Sequence, residues 1–146
     1  ELCGVGHGFM PVVVNVVAPE EFAAWKDGQK TQLAAAAANA SKTYELAELK
    51  AMGEKVYATY CTACHQENGM GLPGAFPALN GSPMVTSDKA AHIDMVLNGK
   101  EKTAMAAFGA LLSDVDIAAV VTFERNHWDN KTGAVVQPAD IAARRK

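Results

Sequence analysis

The sequence predicts a mainly α-helical fold, and three segments with helical periodicity support that prediction. Apolar residues recur every three or four positions from Leu46 to Tyr60, which is typical of one face of an amphipathic helix. Polar cap residues precede two further apolar segments, one after Asp88 and one after Ser113. A domain of three helices in residues 44–127 is small, so its own side chains can form only a small core.

The N-terminal residues predict a strand, a helix and a linker. Residues 9–17 are apolar and rich in β-branched side chains, which predicts a strand, and the segment is about half as long as a membrane span requires. Pro19 and the acidic residues after it predict the first turn of a helix, where the macrodipole favours negative charge. Residues 26–43 contain an alanine run and predict a linker that is partly helical.

The three main helices have boundary signals of their own. The first ends at about Tyr60, and the second ends near residue 98, where Asn-Gly follows the apolar segment. The third opens at Ser113, which together with Asp116 resembles a capping box, and it ends near Asn126. Residues 128–146 are rich in Asp, Asn, Gly and Pro and predict a surface tail whose three terminal basic residues are solvated rather than bound to lipid head groups.

A run of two cysteines and a histidine, Cys61-Thr62-Ala63-Cys64-His65, follows the first main helix directly. Covalent attachment of a c-type haem requires this spacing. The two sulfurs add across the haem vinyl groups as thioethers, and His65 becomes the proximal ligand of the iron. The motif therefore predicts one covalently bound haem c.

Two other sites use a Cys-x-x-Cys pair. A thioredoxin-like redox site is expected just after a strand in a βαβ pattern, whereas a helical pattern precedes Cys61. A structural zinc site needs four ligands. The remaining candidate ligands do not form a second pair at the spacing of a zinc finger; they are Cys3, His7, His92 and His127. The haem interpretation is therefore favoured.

Electron-transfer haems often take a methionine sulfur as the second axial ligand, and the chain has six methionines. Met105 is the preferred candidate because it lies in a loop of small residues between two helical patterns, where backbone can approach a flat ligand closely. Met84 is the second candidate. A methionine more often fills a gap in a core, but the loop and the distance from His65 in sequence favour Met105.

Residues 44–127 resemble a class I cytochrome c domain, in which three main helices surround one covalently bound haem. Gly53 and Tyr57 stand at the positions where the family's first helix crosses its last, and Val120 and Phe123 are the matching pair.

The resemblance also implies a role for a proline twelve residues after His65. In the family, a proline carbonyl accepts a hydrogen bond from the proximal histidine, and Pro77 has the matching offset. Such a bond fixes the tautomer of the ring and makes it a better donor to iron.

Soft metal ligands stand close together at the N-terminus, where a thiolate, an imidazole and a thioether form a set that suits copper. The segment resembles the distal half of the copper A loop in subunit II of haem-copper oxidases. There, Cys3 would bridge two coppers, His7 would bind one, Met10 would bind the other weakly, and Glu1 would contribute its carbonyl. The family's second bridging cysteine and a further histidine lie upstream of Glu1, so we expect no copper A centre in this sequence and unliganded Cys3, His7 and Met10. The alternative is a weak mononuclear copper site at these residues.

Together, the two resemblances imply the haem domain of subunit II of a caa-type cytochrome c oxidase, after the truncated end of a copper A cupredoxin domain in residues 1–25. Electrons would pass one at a time from a soluble cytochrome c or similar donor through haem c to copper A and oxidase subunit I. This part alone would catalyse nothing. One alternative is an independent small periplasmic cytochrome c carrier. Another is a haem peroxidase. A peroxidase needs an open coordination position on the iron, and a methionine ligand would fill that position.

Composition limits the partners and the location. The chain has 146 residues and a formal net charge of −3. Residues 44–127 hold ten acidic and six basic side chains, which favours a basic donor protein and gives no basic patch for nucleic acid. No apolar run approaches twenty residues, so we expect a membrane link only through a missing N-terminal part. Because haem c is attached outside the cytoplasm, we expect the periplasmic or extracytoplasmic face.

Overall fold

The computed structural model describes residues 14–40 and 42–145, without the side chains of residues 32–37 and 40, and these residues are mainly helical. The described residues divide into two compact units, with the boundary between residues 35 and 36. The helices of the described residues are α1 (Pro19–Ala40), α2 (Leu46–Tyr60), α3 (Thr62–His65), α4 (Pro83–Thr86), α5 (Lys89–Asn98), α6 (Asp114–Asn126) and α7 (Pro138–Ala142). None of them is long and apolar enough to cross a bilayer.

The three predicted main helices are α2, α5 and α6, which confirms the fold class. Asp88 caps α5, because its side chain accepts hydrogen bonds from the amides of Ala90 and Ala91. Ser113 and Asp116 form the predicted capping box at the start of α6. These caps satisfy amides that have no partner inside the helix and fix the point at which each helix begins.

Helices α2 and α6 cross at Gly53, where the two backbones approach closely. A β-carbon built on Gly53 would lie 2.1 Å from the carbonyl oxygen of Ala119 and 2.6 Å from Cβ of Phe123. One turn along α2, the Tyr57 ring packs against the Phe123 ring with centroids 5.4 Å apart. Gly53, Tyr57 and Phe123 therefore meet at the crossing, whereas Val120 faces the cavity described below.

The predicted N-terminal strand is not found in the part of it that the structure describes. Residues 14–17 have no regular secondary structure and are exposed, and residues 9–13 lie outside the described residues. A strand forms only where another strand pairs with it, and no strand lies in the described residues. The predicted helix does begin at Pro19, but it continues through most of the predicted linker to Ala40.

The predicted surface tail is wrong for the residues after Trp128. Val136 and Ile141 are fully buried, and Pro138 opens the short helix α7. Arg144 forms an ion pair with Asp94 on helix α5, and both side chains stay partly exposed. The apolar anchors are too few and too widely spaced to produce a periodic pattern, and for this reason composition alone predicts a tail.

Candidate haem site

A cavity of about 420 Å³ lies between helices α2 to α6 of the larger unit. Its walls are largely apolar, with side chains such as Phe76, Val96 and Phe108. Small-molecule and cofactor sites commonly span roughly 300–1,000 Å³ and have this character. It is lined by every residue that the sequence predicts to hold the haem or its proximal ligand, together with the second methionine candidate: Cys61, Cys64, His65, Pro77, Met105 and Met84.

One helical turn brings the two thiols and the imidazole to the same wall. Helix α2 ends at Tyr60, and the amide of His65 donates to the carbonyl of Cys61 at 2.9 Å, which keeps residues 62–65 helical. Nδ1 of His65 lies 3.0 Å from the carbonyl oxygen of Pro77. A hydrogen on Nδ1 that donates to this oxygen leaves Nε2 as the basic nitrogen of the ring.

A glycine allows the Pro77 carbonyl to come this close to the loop that follows His65. Gly71 has φ +64°, and a β-carbon there would lie 2.3 Å from the carbonyl oxygen of Phe76 and 2.5 Å from that of Pro77. Every larger residue would be strained in this conformation and would push the two backbones apart. Gly71 therefore helps to set the distance between the imidazole and the carbonyl.

The two thiols of the motif are not joined in a disulfide. Burial, and with it the nearby carboxylate of Glu124, raises the pKa of the Cys61 thiol well above its ordinary value. This sulfur is therefore uncharged at neutral pH, as its apolar surroundings require.

The other candidate ligand, Met105, lies in a loop that is held by hydrogen bonds between its own residues. Its amide is 3.2 Å from Oγ1 of Thr103, and its carbonyl accepts from the amide of Lys100 at 3.0 Å. Gly99, with φ +65°, permits this approach, because a β-carbon there would lie 2.5 Å from the Met105 carbonyl oxygen. Met84, in contrast, lies on the four-residue helix α4 and is 44% exposed.

Sequence reasoning missed a buried polar pair in the cavity wall. Nε2 of His92 lies 2.8 Å from Oε2 of Glu124, and both residues are less than 5% exposed. From the sequence, His92 is a candidate only for a zinc site. No local pattern marks the pair, because its members stand 32 positions apart on two helices that otherwise bury apolar side chains.

The proposed copper ligands, Glu1, Cys3, His7 and Met10, all lie outside the described residues. Within residues 14–40 and 42–145, no group of three or more histidine, cysteine or acidic side chains is arranged to hold a metal ion. The structure therefore bears on the haem site alone.

The donor set of the cavity fits a c-type haem. Two thiols, one imidazole and a thioether line a largely apolar space, which are the side chains that c-type attachment and methionine–histidine ligation use. The partly buried, uncharged thiol of Cys61 and the oriented imidazole of His65 agree with that use.

Comparison with known proteins gives the same answer. The family described as cytochrome c oxidase, cbb3-type, subunit III, matches residues 48–123, just over half of the chain. The cytochrome c subunit of a quinone-dependent alcohol dehydrogenase from Gluconobacter oxydans (strain 621H) is 32% identical over 99 residues, which cover 61% of this chain and 21% of that protein. The chain thus spans about a fifth of the length of that relative.

Two further relatives match different shares of the chain. A cytochrome c-552 of Thermus thermophilus is 34% identical over 96 residues, which are 57% of this chain and 64% of that protein. Cytochrome c oxidase subunit 2 of Mycosarcoma maydis is 55% identical over 29 residues, 20% of this chain and 11% of that protein. The family match covers most of the helical unit and of the cavity within it, so the chain belongs to this cytochrome c family. Its domain is an electron carrier, and membership of the family implies covalently bound haem c.

Proposed function

We propose that the domain holds one haem c through Cys61, Cys64, His65 and Met105 and passes single electrons through it. The observation that supports this most directly is the His65 imidazole, whose Nδ1 lies 3.0 Å from the Pro77 carbonyl on the cavity wall that also carries both thiols. When bound, haem supplies a one-electron couple whose potential depends on its axial ligands and burial.

When haem is bound, the chain's own residues would limit it to electron transfer and would keep other reactants from the iron. The hydrogen bond to Pro77 holds the imidazole in one tautomer and orientation. The cavity walls are largely apolar, and the Met105 thioether, as a ligand, would take the coordination position that oxygen or peroxide needs. These properties suit electron transfer and disfavour the peroxidase alternative.

The order of the two methionine candidates rests on how firmly each is held. Two backbone hydrogen bonds at Met105 fix the segment that carries it, and Gly99 lets that segment lie against the end of α5. Met84 is more exposed and lies on a single helical turn. We therefore propose Met105 as the distal ligand.

Paired methionine variants test this assignment. In the haem-loaded protein, Met105→Ala is expected to leave the ferrous iron open to carbon monoxide, whereas Met84→Ala, the matched control, stays closed. Absorption spectra under carbon monoxide measure both. If only Met84→Ala binds the gas, the ligand choice is wrong, and haem that acid-acetone extracts from the wild type would contradict covalent attachment.

We further propose that the haem domain belongs to subunit II of a caa-type oxidase, on the periplasmic or extracytoplasmic face of the membrane. The copper-ligand pattern of residues 1–10 and the 29-residue match to an oxidase subunit 2 support this assignment. In the complete complex, a soluble cytochrome c or similar donor would reduce haem c, which would reduce copper A on the way to subunit I.

The second candidate is an independent cytochrome c carrier, which the similarity to cytochrome c-552 over 64% of that protein favours. Purification from the native membrane distinguishes the two. An oxidase subunit brings haem a and copper with it in fixed ratio to haem c, and fast reduction of copper follows that of haem c in stopped-flow absorption. A carrier separates from the membrane fraction without copper.

A further inference from the structure

The residues after α6 contact the loops on both sides of the haem cavity. Residues 127–145, here called the C-terminal segment, follow the part of the chain that the cytochrome c family matches, which ends at residue 123. They are anchored by Val136 and Ile141, which are fully buried. Several of their polar side chains bond to backbone atoms of the cavity loops, and these bonds hold the loops in place whatever side chains the loops carry.

On the proximal side, two residues of the segment hold the loop between His65 and α4. Nε1 of Trp128 donates to the carbonyl of Glu67 at 2.9 Å, two residues after His65. Nδ2 of Asn130, which is 2% exposed, donates to the carbonyl of Leu79 at 3.0 Å, two residues after Pro77. Its Oδ1 accepts from the amide of Gly81 at 2.8 Å. Both ends of the His65 to Pro77 loop are thus fixed from outside.

On the distal side, Arg145 holds the end of the loop that carries Met105. Its guanidinium donates to the carbonyls of Gly109 and Leu112, the latter at 3.0 Å, and pairs with Asp114 at 2.7 Å. The amide of Gly109 donates in turn to the carbonyl of Leu97 on α5 at 3.0 Å. Residue 109 is therefore held from two directions, four positions after Met105.

We propose that the C-terminal segment is a brace, which means that it holds the loops next to the two proposed axial ligands, His65 and Met105. Arg145 is then a positioning residue for Met105. This inference rests on the proposed function, in which Met105 is the distal ligand. Arginine suits the task, because its planar group bonds to two carbonyls and a carboxylate at fixed angles, which a lysine ammonium cannot reproduce.

The test compares Arg145→Ala with Arg144→Ala in the haem-loaded protein. Arg144 is the matched control, since it bonds to Asp94 on helix α5 rather than to the Met105 loop. Hydrogen exchange of the amides of residues 99–112 measures opening of the loop. Binding of imidazole to the ferric haem measures how often the methionine leaves the iron.

We expect Arg145→Ala to raise both the loop exchange rates and the imidazole affinity about tenfold, the change that corresponds to about 1.4 kcal/mol. Arg144→Ala should leave both at the wild-type values, and Arg145→Lys should recover less than half of the loss. If Arg145→Ala exchanges and binds imidazole like the wild type, the brace is wrong.

Met105→Ala separates this failure from failure of the proposed function. If Met105→Ala binds imidazole far more tightly than the wild type while Arg145→Ala does not, the ligand is right and only the brace fails. If Met105→Ala and the wild type bind imidazole equally, the ligand itself is wrong, and the brace proposal fails with it. Asn130→Asp, which keeps the size of the side chain but removes the donor to Leu79, supplies the proximal comparison.

Discussion

His92 and Glu124 place two ionisable side chains in a largely apolar cavity wall. Their contact of 2.8 Å is buried, and Nδ1 of His92 has no hydrogen-bond partner within the described part of the chain. A neutral His92 that donates from Nε2 leaves only a lone pair at Nδ1, whereas a protonated ring would leave a buried N–H without an acceptor.

Removing His92 is expected to destabilise the domain strongly. His92→Leu leaves the buried Glu124 carboxyl without its hydrogen-bond partner, which costs about 1–3 kcal/mol, and more for a charged group. Denaturant unfolding of the haem-loaded protein, followed by circular dichroism, measures the loss.

The double variant His92→Leu/Glu124→Met is the control, because replacing both partners with apolar residues of similar size is often neutral or stabilising. A single variant as stable as the wild type would show that Glu124 finds another partner or is solvated.

At this scale the sequence predicts residues whose chemistry fixes their spacing. The order of two thiols and an imidazole around one helical turn is needed for attachment, so Cys61, Cys64 and His65 can be read directly. His92 and Glu124 meet only after folding, and their contact has no counterpart in sequence spacing. Met105 stays a prediction that its loop supports.

The crossing of α2 and α6 is the central contact between helices. The two backbones can touch because Gly53 has no side chain, and the aromatic rings of Tyr57, Phe123 and Trp128 close around the next turn. The Tyr57 hydroxyl donates to the carbonyl of Gln66 at 2.7 Å, which links the crossing to the residue after the haem motif.

Adding one methyl group at Gly53 is expected to destabilise the domain. In Gly53→Ala, the β-carbon would lie 2.1 Å from a carbonyl oxygen of α6, so the helices must separate. Overpacking of this kind lowers the free energy of unfolding by about 1–3 kcal/mol. This loss exceeds the roughly 1 kcal/mol by which alanine stabilises a helix relative to glycine. A lower melting temperature of the haem-loaded protein is the expected result.

Gly28→Ala is the matched control, since Gly28 is also helical and no atom lies within 4 Å of its added β-carbon. It should leave the melting temperature of the haem domain unchanged. Equal melting temperatures for Gly53→Ala and the wild type would mean that the crossing relaxes without loss.

Elements with a period or a cap could be predicted, and elements held by single anchors could not. The capping box at Ser113 and the cap at Asp88 set helix starts through local hydrogen bonds, so a few residues contain the information. Helix α7 has five residues, too few to show an apolar period although Pro138 and Asp140 mark its start, and its position depends on distant contacts such as that between Lys89 and Asp140. The extended segment before α1 lacks, within the described residues, the pairing strand that the prediction needs.

Charge is a property of the molecule as a whole. The ten acidic and six basic side chains in residues 44–127 give that part a negative balance. Oppositely charged proteins attract each other before contact, and dissolved salt screens that attraction over about 10 Å at 0.1 M.

We therefore expect a basic cytochrome to reduce the haem of this domain more slowly as the salt concentration rises. The second-order rate constant should fall roughly several-fold from low to high ionic strength, because steering is lost. Stopped-flow absorption of the haem measures it, with a small uncharged reductant as the control. A rate constant that rises with salt would indicate that the reacting surface repels basic donors.

The side chain of Gln137 joins the beginning of the domain to its last helix. Its Oε1 accepts from the amide of Tyr44 at 2.9 Å, and its Nε2 donates to the Tyr44 carbonyl at 2.8 Å. The chain therefore enters the haem domain beside the start of α7. A domain whose entry lies next to its last element can be joined to other proteins with little distortion. A domain with this arrangement can form part of different proteins. This agrees with the relatives, in which the matched part is a fifth of one protein and nearly two thirds of another.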